Sequence, residues 1–143
     1  MKKPGIYGFS NQNCWLSNFV NGSFKIEFEG IKYPTVEHAY QAAKTLNVSD
    51  RVRISRCQTA SDAKRMGQTL TIRKDWEEIK LSVMEHCLRQ KFQDEELKQA
   101  LISTNDLYLE ETNWRSDRFW GVFNGEGENH LGKLLMKLRE EIK

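Results

Sequence analysis

Apolar and polar positions alternate strictly through Phe24-Lys25-Ile26-Glu27-Phe28, and the alternation resumes in Ile31-Lys32-Tyr33 after Glu29-Gly30. This spacing predicts a half-buried β-hairpin with a two-residue connection. Pro34 ends the extended run, Thr35 is a good N-cap, and from Val36 the period becomes that of a helix. Val36, Ala39, Tyr40 and Ala43 form an apolar stripe, while Glu37, Gln41 and Lys44 fall in a second line beside it. One side is expected to pack and the other to face a cleft. Further helices are predicted over residues 50–56 and 60–66, the second capped by Thr59 or Ser61 and ended by Gly67 in a left-handed conformation. The longest is expected from Asp75, with Glu78 completing a capping box, to Phe92; Trp76, Ile79, Val83 and Cys87 share its apolar face. Residues 94–103 read as another helix. Asn129 is expected to cap a last one carrying Leu131, Leu134, Leu135, Leu138 and Ile142. Short extended pieces are expected at residues 6–10, 14–20, 107–109 and 119–120. Helices do not alternate with strands, so the predicted class is α+β: a small antiparallel sheet packed with five or six helices.

Length fits a single domain over residues 1–143 that can bury a real core. Lys and Arg number 22 against 20 Asp and Glu, interspersed rather than in blocks, so charge alone does not announce a nucleic-acid binder. The N-terminal stretch has no apolar signal region and no eighteen apolar residues run together, which predicts a soluble cytoplasmic protein without a membrane partner. Cys14, Cys57 and Cys87 are far apart and read as reduced thiols. His38, His86 and His130 have no metal-ligand spacing, so neither a metal nor a cofactor is expected.

Candidate chemistry collects in a few places. At a rise of about 1.5 Å per residue, Glu37 and Lys44 start roughly 10 Å apart, a span that suits a small polar ligand better than an ion pair along one helix. An acid in a first turn and a base in a last turn are also what the helix dipole favours on any solvated helix, and that alternative stays open. Ser17 and Asn18 lie between Leu16 and Phe19, where a buried strand would need partners that a ligand can supply; a self-satisfied turn is the competing reading. Trp76 is either a core anchor or a flat surface for a base. Arg65, Arg73 and Lys74 are candidates for phosphate, with a solvated surface as the alternative. From Asp117 through Trp120-Gly121 and the Gly-rich loop to Asn129, backbone N–H groups at a helix N-terminus can approach an anion, against which stands a tight structural loop.

The order and joint presence of Leu16-Ser17-Asn18-Phe19, Tyr33-Pro-Thr-Val-Glu37-His38-Ala-Tyr40-Gln41-Ala-Ala-Lys44, Ala63-Lys-Arg65-Met-Gly67, Arg73-Lys-Asp-Trp76, Asp117-Arg-Phe-Trp120-Gly121 and Asn129-His-Leu-Gly132 resemble the NADAR family, also called YbiA-like, over nearly the whole chain. The resemblance implies hydrolysis of an N-glycosidic bond. Members act on phosphoribosylamino pyrimidine intermediates of riboflavin synthesis, or remove ADP-ribose from modified guanine in DNA or RNA as a counter to a toxin partner. It further implies that Glu37, Lys44 and Asp117 are catalytic, and that Ser17, Asn18, Phe19, His38, Gln41, Arg65, Trp76, Trp120, Gly121 and Asn129 bind a nucleotide-like substrate. The residue types suit the chemistry: breaking a ribosyl C–N bond builds an oxocarbenium-like charge that a fixed carboxylate stabilises. Lys44 would hold a phosphate or hydroxyl, or attack an opened sugar aldehyde to give a Schiff base. A catalytically silent ADP-ribose-binding module is the reading from another class.

Overall fold

The fold was analysed in a computed structural model that describes residues 2–143. It divides into two units, Asn18–Asp94 and the termini Met1–Ser17 with Glu95–Lys143. In the central unit, strands β1 (Ile26–Phe28) and β2 (Ile31–Tyr33) pair antiparallel, Phe28 opposite Ile31. Glu29 and Gly30 between them have φ of 48° and 89°, as a tight hairpin requires. Four helices follow: α1 (Val36–Ala43), α2 (Val48–Ser55), α3 (Ala60–Gly67) and α4 (Trp76–Lys91).

α1 packs against the other three helices and both strands. As a result every residue from Val36 to Ala43 is buried, including Glu37, His38 and Gln41. Its apolar stripe packs as expected, and of its polar line Glu37 and Gln41 are largely buried while Lys44 at the end is part-exposed. The caps follow the sequence. Thr35 accepts from the His38 N–H at 3.0 Å and Thr59 from the Asp62 N–H at 3.0 Å. Asn47, which the sequence reading passed over, accepts from the Asp50 N–H at 2.9 Å and starts α2 two residues earlier than predicted. The capping box at Asp75 does not form, because the Asp75 carboxylate is gripped by Arg73 through Nε at 2.7 Å and Nη2 at 3.1 Å. Gly67 is also corrected. It is the last residue of α3 and is absent from the positive-φ positions among the described residues.

In the terminal unit, β3 (Gly5–Tyr7) runs parallel to β4 (Tyr108–Glu110), with Ile6 opposite Leu109. This pairing adds a parallel pair to the expected antiparallel one. Residues 14–20 are not extended: Asn11–Leu16 is a 3-10 helix, and Phe119–Trp120 lies in a loop rather than a strand. Helix α5 (Glu95–Ser103) and helix α6 (His130–Ile142) pack together, and α6 lies on β4 with Leu131, Leu135 and Leu138 buried. A side chain at Gly132 would overlap the Leu109 carbonyl, so the close approach of α6 to β4 requires glycine there. The fold is α+β, and among the described residues no helix is long and apolar enough to cross a membrane.

Candidate active site

The candidate groups of the central unit gather on and around α1. The Gln41 carboxamide, one turn beyond Glu37, donates Nε2 to Glu37 Oε2 at 2.7 Å. Glu37 is only 7% exposed, and its backbone N–H is taken by the Asn18 carbonyl at 3.0 Å. Thus the segment before the hairpin is stitched to the first turn of α1. The Asn18 side chain reaches Met84 Sδ through Nδ2 at 3.5 Å, a weak contact, while its buried Oδ1 has no partner within the protein.

Lys44 sits at the C-terminal end of α1, partly buried, with Nζ 5.5 Å from the centre of the Tyr40 ring. Burial pushes its pKa below the ordinary lysine value, the negative charge of Glu37 opposes that shift, and Lys64 on α3 and Lys80 on α4 reinforce it. Glu37 and Lys44 therefore sense one another despite their separation along the helix. Lys64 and Lys80, both part-buried, carry no distinguishing pattern in the sequence, where lysines recur on several amphipathic helices. Tyr40 meets Trp76 with ring centres 5.1 Å apart and ring planes tilted by 57°. At 5% exposed, Trp76 is a core anchor that offers little surface to a base.

The remaining central candidates divide. His38 is 1% exposed and both ring nitrogens are engaged, Nδ1 with Thr35 Oγ1 at 2.7 Å and Nε2 with the Cys57 carbonyl at 3.0 Å. Burial holds its pKa below the usual value, so it is a neutral structural histidine locking α1 to the end of α2. Arg65 pairs with Asp62 at 2.9 Å on an exposed face, and Arg73 is committed to Asp75 while its N–H caps the Lys44 carbonyl at 2.7 Å. Phe19 is 40% exposed, with Lys64 Nζ 5.9 Å from its ring centre.

Ser17, Asp117, Trp120, Gly121 and Asn129 belong to the terminal unit. Asp117 Oδ1 accepts from the Phe119 and Trp120 N–H groups at 3.1 and 2.9 Å, shaping the turn that precedes Trp120-Gly121. Trp120, Phe119 and His130 form an aromatic cluster. The helix N-terminus expected to receive an anion is occupied by the chain itself: the N–H groups of Asn129, His130 and Leu131 donate to the carbonyls of Gly121, Phe119 and Trp120 at 3.0–3.2 Å. Asn129 has φ 53° and makes no capping bond. Its Nδ2 donates to the Leu109 carbonyl at 2.9 Å and its Oδ1 accepts from the Glu111 N–H at 3.0 Å, so it ties α6 to β4. At Gly121 a side chain would overlap the Glu111 carbonyl. Asn129 thus spends its amide on the backbone of the β4 end, and Gly121 leaves room for the Glu111 carbonyl. Ser17 is half-buried and its N–H closes the 3-10 helix on the Cys14 carbonyl. A surface hollow of about 550 Å³ in this unit is lined by Lys3, Pro4 and the segment Ser103 to Tyr108, and includes none of the candidate residues.

A buried carboxylate that accepts from an amide at the start of α1, and at the far end of the helix an amine whose proton affinity burial has lowered, are group types that hydrolytic centres use. Comparison with known proteins agrees on the class. The NADAR domain model matches residues 7–143, and the chain belongs to the NADAR family. It is 39% identical over 141 residues to the N-glycosidase YbiA of Escherichia coli (strain K12), covering 96% of this chain and 86% of that protein. The NMR structure of that E. coli protein superposes with a TM-score of 0.85 at 37% identity, covering 99% of this chain and 86% of the other. A riboflavin biosynthesis protein of Vibrio vulnificus is 35% identical over 147 residues, which is 99% of this chain but 39% of that longer protein. The chain is a hydrolase of the class that acts on N-glycosyl bonds.

Proposed function

We propose that this enzyme cleaves the bond between the anomeric carbon of a ribosyl group and a nucleobase or amino-pyrimidine nitrogen, with Glu37 as the principal catalytic group. As the C–N bond breaks, its electron pair leaves with the nitrogen, which takes up a proton, and positive charge grows on the sugar ring. A carboxylate already fixed and largely removed from water stabilises that charge without reorganising, and accepts the proton of the water that adds to the anomeric carbon. Lys44, shifted by burial toward the neutral amine, is suited to hold a sugar hydroxyl or phosphate and to attack an opened aldehyde. Asp117 is proposed as a third catalytic group, and the unpartnered Asn18 Oδ1 as an acceptor for a sugar hydroxyl.

The substrate we favour is ADP-ribose attached to guanine in nucleic acid, gripped mainly through its nucleotide-like modification. The modest basic excess favours neither substrate: a nucleic acid gripped by its modification needs only a few phosphate contacts, and a free metabolite needs no basic face. The second reading, a free phosphoribosylamino pyrimidine, is favoured by the riboflavin biosynthesis proteins of Vibrio vulnificus and Zea mays among the relatives. The observation that carries the common core of both readings is the Gln41-held Glu37 carboxylate at the start of the helix that ends in Lys44.

Incubation with ADP-ribosylated DNA and with the pyrimidine ribotide distinguishes them, since the first releases ADP-ribose and the second ribose 5-phosphate. Glu37→Gln is expected to lower turnover by about a hundredfold or more, the range for losing a fixed charge or a general base. Asp117→Asn keeps the acceptor for the two backbone N–H groups and removes the charge, so a comparable loss there supports the third catalytic role. A folded Glu37→Gln protein with wild-type turnover would rule the assignment out, and binding of ADP-ribose without turnover of either substrate would make the protein a binding module.

A further inference from the structure

We infer that Gln41 and Gly67 are positioning residues for Glu37: the missing side chain at Gly67 is the space in which the Gln41 carboxamide is held against the carboxylate. The inference rests on the reading of Glu37 as catalytic and assigns Gln41 a different task from the substrate contact that the family resemblance implies. Gln41 is 5% exposed and spends Nε2 on Glu37 Oε2 at 2.7 Å. Its Oε1 is buried with no hydrogen-bond donor and lies against the α-carbon of Gly67. A methyl group there would overlap Gln41 Oε1, come within 2.7 Å of its Cδ and 3.2 Å of its Cβ.

The orientation of the amide follows from charge. An ionised carboxylate only accepts, so the nitrogen must face Glu37 and the oxygen must take the opposite side, where α3 passes. A carbonyl oxygen buried without a donor is costly, and the arrangement persists because a charge-assisted bond to Glu37 is gained in exchange. Any side chain at Gly67 would push the carboxamide along α1 or rotate it away from Oε2. Glu37 would then lose the Gln41 donor that helps hold its side chain, and a misplacement of about 1 Å at a reacting group costs on the order of a hundredfold in rate. Gly67 thus acts across the α1–α3 contact, through Gln41, on a group it does not itself touch.

The test is a double-mutant cycle on the full chain with the substrate that the wild type turns over. Gln41→Ala and Gly67→Ala are each expected to lower kcat by about ten- to a hundredfold with KM within about twofold, because they disturb Glu37 rather than substrate contacts. The double variant is expected to lie within about twofold of Gln41→Ala, since Gly67 has no carboxamide left to displace. Multiplying effects would overturn the inference, as would a raised KM with unchanged kcat, which would make Gln41 a substrate ligand. If Gly67→Ala alone fails to fold, the double variant is expected to fold, because only the 3.2 Å approach to the residue 41 Cβ remains; failure of both to fold also overturns it. A crystal structure of Gly67→Ala reads the geometry without any substrate. The Gln41–Glu37 hydrogen bond is expected to be broken, and its survival with α3 displaced instead would sink the positioning role. Glu37→Gln with full activity, by contrast, would remove the catalytic reading and leave the geometric result standing.

Discussion

Buried polar atoms without partners mark where individual residues do something other than hold the fold. Among the described residues, Asn18 Oδ1, Gln41 Oε1 and Tyr33 Oη share this condition, but their neighbours separate them. The first two surround the Glu37 end of α1, where a substrate or a positioning duty accounts for them. Tyr33 is fully buried on β2, and the cationic group that acts on it is Arg51, itself carrying an unpartnered Nη2. Nothing in the proposed chemistry uses that phenol. Replacing it by Phe gives up no protein hydrogen bond and removes a hydroxyl whose burial costs about 1–3 kcal/mol by mutational measures. Tyr33→Phe is therefore expected to raise stability by about 1 kcal/mol in urea unfolding, at wild-type turnover. A loss of stability would show that the hydroxyl is bonded in solution.

At the scale of elements, α1 is the piece whose placement matters most, and its N-terminus hangs on Thr35. That hydroxyl accepts from the His38 N–H and meets His38 Nδ1 at 2.7 Å. Losing the cap costs about 1 kcal/mol and leaving a buried ring nitrogen unpaired about 1–3 more, so Thr35→Ala is expected to destabilise by roughly 2–4 kcal/mol. Thr35→Ser, which keeps the oxygen, should recover most of it. Equal urea midpoints for the alanine and serine variants would contradict this account. Such local devices were legible in the sequence: Pro34-Thr35, the Glu29-Gly30 hairpin, Thr59, and the leucine period of α6 each act within a few residues of themselves. What was not legible acts at a distance. The register of β3 against β4 joins residues about a hundred positions apart over a three-residue strand, too short to show a pattern. Gly67 looked like a helix terminator because glycine ordinarily signals backbone freedom, whereas here it makes room for a side chain from another helix. The α6 N-terminus looked open to an anion because the sequence does not reveal that the carbonyls of Phe119, Trp120 and Gly121 fold back onto it.

For the whole molecule, the buried ionisable groups set how stability varies with pH, and they do not all pull the same way. Burial pushes the Cys87 thiol up to about 12 from an ordinary 9.0, and the Tyr33 phenol up to about 12 from 10.0. Above pH 9 the unfolded chain releases the thiol proton while the native chain keeps it. The native state then binds more protons, and stability must fall as pH rises. Lys44 acts oppositely: its native pKa is below 10.5, so between the two values the unfolded chain holds the extra proton and stability rises with pH. His38, held neutral by burial, removes stability as pH drops below about 6.5, when only the unfolded chain protonates. These opposing slopes hide one another in a single profile, and a variant isolates one of them. In Cys87→Ala the thiol contribution is absent, so the stability gap between wild type and variant should be constant up to about pH 9. It should then shrink by about 1.4 kcal/mol per pH unit toward 12, the full slope for one proton. Urea midpoints at pH 7.5, 9 and 10.5 measure it. A gap that stays constant to pH 10.5 would mean that the thiol ionises as readily in the native protein as in the unfolded chain, and that the buried face of α4 does not shut Cys87 away from water.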